Sequence, residues 1–138
     1  MTVIIPEIRI LLVDDHAVVR EGLKRVLEVP GSGIKVVGLA CNGLEALAAI
    51  PECTPQIVLM DIRMPVMDGI NTTRLLHRDY PEIKVIALTT FDDEEYLMQV
   101  LKAGAVSYIL KDIEPEELIL VVRRVFQGEA ILSPGVTG

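Results

Sequence analysis

Asp14, Asp15, Asp61, Thr89 and Lys111 are residue types able to handle a phosphoryl group, and each stands at the end of a short apolar run. Those runs are residues 8–13, 57–60, 85–88 and 108–110. Three carboxylates brought together repel: two unit charges 4 Å apart cost roughly 4 kcal/mol at an effective dielectric of 20. Proton uptake or a cation must offset this. A hard, oxygen-rich cluster suits Mg2+ (or Mn2+), bound through a few carboxylates, waters and a substrate phosphate. Lys111 brings an ammonium that can pair with a carboxylate or a phosphoryl oxygen. Thr89 offers a hydroxyl donor. The chemistry such a set suits is phosphoryl transfer to a carboxylate. Asp61 is then the nucleophile, and the cation and Lys111 neutralise charge on the equatorial oxygens.

Each residue taken singly has a plainer reading. Asp14 or Asp15 could cap the helix that follows. Asp61 could form a turn ahead of Pro65. Thr89 and Thr90 could be loop hydroxyls, and Lys111 a solvated surface lysine. Their joint placement at four strand ends argues against coincidence.

The elements that must position them alternate in type. The four apolar runs read as parallel strands buried on both faces. Residues 34–40 contain Lys35 and Gly38 and read as a less buried edge strand. Between the runs lie helical spacings. Val19, Leu23, Val26 and Leu27 form one stripe, and Leu44, Leu47 and Ala48 a second, with Asn42 and Glu45 as a capping pair. A third helix starts near Asp68 and stops before Pro81. A fourth runs from about Asp93 to a stop at Gly104. The fifth has Pro115 in its first turn and Gly128 after its end. Five strand–helix units in succession predict an α/β, flavodoxin-like, doubly wound parallel sheet with strand order 2-1-3-4-5 and five helices. Its functional site lies beyond the carboxyl ends of the strands, where the polar residues are.

Composition narrows the function. The net charge of −7 argues against this chain holding DNA by itself, because phosphate contacts need clustered Lys and Arg. No stretch approaches a membrane span, and the amino terminus lacks the pattern of a secretory signal; a cytoplasmic location is the default expectation. Cys41 and Cys53 lack metal-like spacing and read as reduced and structural. His16 reads as a first-turn helix residue and His77 as solvated.

The strings Leu11-Leu12-Val13-Asp14-Asp15-His16, Val58-Leu59-Met60-Asp61-Ile62-Arg63-Met64-Pro65-Val66-Met67-Asp68-Gly69, Ala87-Leu88-Thr89-Thr90 and Gly104-Ala105-Val106-Ser107-Tyr108-Ile109-Leu110-Lys111-Asp112 carry a resemblance. The sequence resembles receiver domains of two-component response regulators, of the NarL/FixJ (LuxR-type) subfamily. The resemblance covers residues 8–128, with residues 1–7 as an extension and 129–138 as the start of an interdomain linker. It implies that Asp14 and Asp15 hold Mg2+, with Asp61 and the backbone carbonyl of Arg63 completing the coordination. It implies Asp61 as phosphoacceptor, Thr89 as switch hydroxyl, Lys111 as phosphate-binding lysine, and Tyr108 as an aromatic that swings inward. The donor would be a sensor histidine kinase. The output would be the surface of the fourth helix, fifth strand and fifth helix, with a possible homodimer on phosphorylation.

In the resembled subfamily a helix-turn-helix DNA-binding domain follows the linker. Action as a stand-alone receiver, by protein contact or in a phosphorelay, is the alternative. A true enzyme is not expected beyond self-phosphorylation and dephosphorylation. A related phosphate hydrolase would place an acid where Arg63 stands. The sequence departs from the family in Asp112, where relatives often have a proline after a cis bond. Thr90 is also bulkier than usual. Arg63, Thr90 and Phe91 flank the site and are expected to tune the rate of phosphoryl loss toward a long-lived state. On the fifth helix, Ile119 and Phe126 lie off the core stripe of Leu118, Val121, Val122 and Val125. They either form a dimer seam or pack under the linker or a neighbouring loop.

Overall fold

The computed structural model describes residues 7–90 and 94–129. In chain order the elements are β1 (Ile8–Val13), α1 (Ala17–Leu27), β2 (Ile34–Ala40), α2 (Gly43–Cys53) and β3 (Ile57–Asp61). Then come α3 (Gly69–Asp79), β4 (Lys84–Thr89), α4 (Glu94–Ala103), β5 (Ser107–Leu110) and α5 (Pro115–Phe126). Every strand pair is parallel and the sheet runs β2-β1-β3-β4-β5, as expected.

The apolar runs dictate this sandwich of layers. Successive strand side chains point to opposite faces, so a run that is apolar throughout is covered on both. Ile10, Leu12, Ile57, Leu59, Ile86, Leu88 and Ile109 share one face with Leu27 of α1 and Leu118, Val121, Val122 and Val125 of α5. Leu11, Val13, Val58, Met60, Val85 and Ala87 share the other with Ala46 and Ile50 of α2, Ile70 and Leu76 of α3, and Val100 and Ala103 of α4. Ile119 and Phe126 lean partly buried on the first of these clusters. Each keeps part of its surface exposed.

Two strands extend further at their carboxyl ends than hydropathy indicated. Asp61 pairs with Leu88 inside the β3–β4 ladder, and Thr89 pairs with Leu110 inside the β4–β5 ladder. Ladder hydrogen bonds use backbone groups, so a polar side chain does not end a strand whose neighbour continues. Asp61 and Thr89 are thus anchored by the sheet rather than by a loop.

Local chemistry sets the remaining boundaries. The Asn42 side chain accepts the Glu45 N–H at 2.9 Å, and the Glu45 carboxylate accepts the Cys41 N–H at 3.0 Å, a reciprocal cap for α2. Gly104 ends α4 at φ +127, and the His77 ring stands where a Cβ would project, 2.8 Å away. His77 is therefore exposed but not idle: it closes α3 against the turn after α4. The β1–β2 register shifts between Ile10 and Leu11, opposite Val36 and Gly38. A Cβ on Gly38 would meet Cys53 Sγ at 2.6 Å, which gives Cys53 a packing role. Both cysteines are free. The described residues contain no cis peptide, so the Lys111–Asp112 bond is trans. The expected α4 start at Asp93, and Phe91, lie outside the described residues.

One contact ties the fold to the strand end that matters. The Asp68 side chain caps α3 by accepting the Asn71 N–H at 2.8 Å, and the Gly69 N–H donates to the Ile62 carbonyl at 2.7 Å. A Cβ on Gly69 would lie 2.5 Å from the Asp61 carbonyl oxygen and 2.7 Å from Ile62 Cα. Both obstacles are backbone, so no rotamer change relieves them. Gly69→Ala is expected to destabilise the chain by about 1–3 kcal/mol, read as a lower midpoint in urea unfolding at unchanged slope.

Candidate functional site

The carboxyl edge of β1, β3, β4 and β5 gathers the predicted residues. Asp14 follows β1 with 1% of its surface exposed, and Asp61 ends β3 with 5% exposed. Lys111 follows β5 and reaches back across the edge. Its Nζ lies 3.2 Å from Asp61 Oδ2 and 3.5 Å from Asp14 Oδ2. Its own N–H donates to the Thr89 carbonyl at 2.9 Å, so the backbone aims the lysine from the neighbouring strand end. Arg20 of α1 donates to the Asp14 carbonyl oxygen at 2.6 Å and braces the turn from below.

Neither aspartate after β1 is the cap of α1. The N-cap is His16, which makes no side-chain cap bond. Instead Asp14 Oδ1 accepts the His16 N–H at 2.9 Å, turning the chain ahead of the helix. The His16 ring, expected within the first helical turn, stands over the acid pair. Its Nδ1 is 3.3 Å from Asp14 Oδ1 and 3.1 Å from Asp15 Oδ1. The sequence reading missed this; the available signal was its adjacency to the two acids.

Charge in the pocket does not balance. Three carboxylates face one ammonium, so the site is net negative. Burial pushes the Asp61 carboxyl above its ordinary value of 3.8; Lys111 pulls it back, Asp14 pushes again, and the result stays upward. Burial also acts against the Lys111 ammonium, but the charges of Asp61 and Asp14 outweigh it and Lys111 is held above its ordinary 10.5. The pair therefore favours charge on the lysine, while burial still penalises charge on the aspartate. Asp14 Oδ2 and Asp15 Oδ1 are buried with no hydrogen-bond partner; the contact from Lys111 to Asp14 is an ion pair without hydrogen-bond geometry.

Ligand atoms of Asp14, Asp15, His16 and Asp61 all lie within 4.8 Å of one another. Unsatisfied carboxylate oxygens converging at that spacing fit a divalent ion, which would supply the missing positive charge.

The other predicted residues surround this centre. The Thr89 side chain is 2% exposed, and its hydroxyl donates to the Thr90 carbonyl at 3.2 Å. Tyr108 is half-buried against the cluster of α2, α3 and α4. The Arg63 backbone hydrogen-bonds toward the Asp61 carboxylate. The Arg63 guanidinium stacks over the Tyr96 ring of α4, 4.4 Å from its centroid. Val66 was not singled out in the sequence, yet it holds φ +70 at the centre of a γ-turn closed by the Met67 N–H on the Pro65 carbonyl at 2.7 Å. Such a turn is rare and strained for a β-branched residue.

Residues 10–123 match the family model described as the response regulator receiver domain. The chain belongs to this family. It is 45% identical over 128 residues to an uncharacterised transcriptional regulatory protein, YhcZ, of Bacillus subtilis, covering 93% of this chain and 59% of that one. It is 42% identical to the oxygen regulatory protein NreC of Staphylococcus epidermidis, covering 94% of this chain and 59% of that one. The chain thus spans about three fifths of the length of these relatives. Among solved structures, a LuxR-family two-component response regulator from Aurantimonas superposes with TM-score 0.85 at 33% identity, covering 94% of this chain and 92% of that one. The receiver domain of a response regulator NarL from Mycobacterium tuberculosis does so with TM-score 0.82 at 33% identity, covering 90% and 99%. No helix among the described residues of this receiver domain is long and apolar enough to cross a membrane.

The raised Asp61 gives a stability test. A carboxyl whose folded value is raised contributes most below its unfolded value and loses that contribution as pH rises through the folded one. Asp61→Asn removes the penalty. Without divalent ions, the variant is expected to melt a few degrees above the parent receiver domain at pH 7. The gap should close as pH falls toward 3.8.

Proposed function

We propose that Asp61 accepts a phosphoryl group from a phosphohistidine of a sensor kinase, and that this receiver thereby controls a longer transcription regulator. The observation that carries the reading is Asp61 at the carboxyl edge of the sheet, 3.2 Å from the Lys111 ammonium and beside two acids with oxygens that accept no hydrogen bond.

A carboxylate oxygen of Asp61 attacks phosphorus as the phosphorus–nitrogen bond of the donor breaks; the released imidazole takes up a proton. Mg2+ (or Mn2+) held by Asp14, Asp15, Asp61 and the Arg63 carbonyl would supply charge for the equatorial oxygens. Lys111 neutralises a further oxygen from the opposite side. Its raised value keeps it a cation through this step.

The product carries about −1.5 to −2 charges if it titrates like other phosphorylated side chains. That charge competes with the Thr90 carbonyl for the Thr89 hydroxyl. As Thr89 turns inward, it vacates volume beside Tyr108 on the adjacent strand, and the α4–β5–α5 surface changes with it. This is a shift between two packings of one fold. Arg63, held over Tyr96, ties the site to α4. With Thr90 and Phe91 it sets how long the phosphoryl group lasts. A homodimer formed on phosphorylation belongs to the same proposal. Leu120, 48% exposed, offers a partner an apolar α5 side chain, flanked by the partly buried Ile119. DNA binding would reside in a carboxyl-terminal domain of the longer protein, in keeping with relatives called transcriptional regulators.

Incubation with a small acyl-phosphate donor and Mg2+ is expected to label the chain once. Asp61→Ala should abolish labelling with the fold intact by circular dichroism. Lys111→Ala should slow it roughly 10²-fold, as when one preorganised charge-stabilising group is lost. Undiminished labelling of folded Asp61→Ala would end the proposal.

A further inference from the structure

We infer that His16 is a nitrogen ligand to the divalent ion of this site, so that the centre is a mixed oxygen–nitrogen one and prefers later first-row ions to Mg2+. The inference rests on the metal-binding reading proposed above and deepens it.

His16 occupies an N-cap, where Ser, Thr, Asp or Asn would stabilise a helix by about 1 kcal/mol. The imidazole does nothing of the kind: it makes no cap bond to α1, and α1 has no acidic residue in its first turn. The backbone instead aims the ring at the acids. His16 is extended, at φ −104 and ψ 115, and its N–H is fixed on Asp14 Oδ1 at 2.9 Å. Nδ1 is thereby brought within 3.1 Å of Asp15 Oδ1 and 3.3 Å of Asp14 Oδ1.

These spacings suit neighbouring ligands of one ion. Two donor atoms about 2.1 Å from an ion, at right angles, stand about 3.0 Å apart. The Asp15 Oδ1 that faces Nδ1 is buried without a hydrogen bond, and so is Asp14 Oδ2. The site thus presents two carboxylate oxygens without hydrogen bonds, and an imidazole nitrogen whose contacts are the acids themselves, to the same small volume.

Imidazole changes which ion is held. Mg2+ takes oxygen ligands and keeps its waters. Imidazole suits Ni2+, Zn2+ and other borderline ions, whose affinities rise from Mn2+ through Co2+ to Ni2+. An ion pair between imidazolium and the acid pair is the competing account, and it predicts no nitrogen bound to metal.

The chain has two histidines, and His77, on α3, lies against Gly104 after α4, which makes the assignment clean. Pulsed electron paramagnetic resonance of the full chain loaded with Mn2+ is expected to show imidazole 14N coupling. The coupling should persist in His77→Ala and vanish in His16→Ala and His16→Gln. Calorimetry should show Ni2+ affinity falling about tenfold or more in the His16 variants, with Mg2+ affinity changed less than about twofold. Should a His16 variant fail to fold, the wild-type spectrum compared with His77→Ala still decides. Mn2+ bound with no imidazole coupling in the wild type would overturn the inference while leaving the acid site standing. Absence of any divalent binding would overturn both.

Discussion

Repulsion among Asp14, Asp15 and Asp61 at one sheet edge is the constraint on which the rest depends. A fold gathers like charges in a buried place only if its other parts hold them there. The two faces of the sheet do so, with core side chains such as Leu12, Leu59, Ile86 and Ile109 fully enclosed. Each contributes roughly 1.5–3 kcal/mol, and together such side chains outweigh a repulsion of roughly 4 kcal/mol for one close pair. Lys111 offsets a share of it and leaves the pocket electron-rich. That residual deficit of positive charge suits the site to a cation.

Backbone, more than side chain, sets the geometry. Asp61 and Thr89 are in the ladder, Lys111 is hung from the Thr89 carbonyl, and Asp14 is braced by Arg20. Gly69 lets α3 close on the Asp61 carbonyl, and the strained turn at Val66 follows Asp61 in the same loop. The Thr89 hydroxyl on the Thr90 carbonyl, the half-buried Tyr108 ring and the Arg63 guanidinium over Tyr96 surround that edge.

Much of this was legible before any coordinates. Apolar runs report burial on both faces, and polar residues at their ends share an edge once strand order is known. Hence the sheet, its order and the convergence of Asp14, Asp61 and Lys111 followed from residue types alone. Side-chain direction was not legible. Whether His16 points into its helix or over the acids depends on its N-cap backbone, and adjacency in sequence cannot distinguish them. The φ of Val66 is set by a three-residue turn that propensity argues against. The fate of Ile119 and Phe126 depended on how closely α5 lies against the sheet, a matter of packing rather than period. Strand ends were short by one residue at Asp61 and Thr89 because hydropathy tracks side chains and ladders do not.

The central claim is that one carboxylate, Asp61, carries the phosphoryl group. The most direct measurement treats the phosphorylated chain with borohydride, which reduces an acyl phosphate to an alcohol, and maps the altered peptide by mass. The account predicts reduction at position 61 alone, dependent on a divalent ion. Reduction at Asp14 or Asp15 instead, or a phosphoryl group found on a hydroxyl or imidazole, would contradict it.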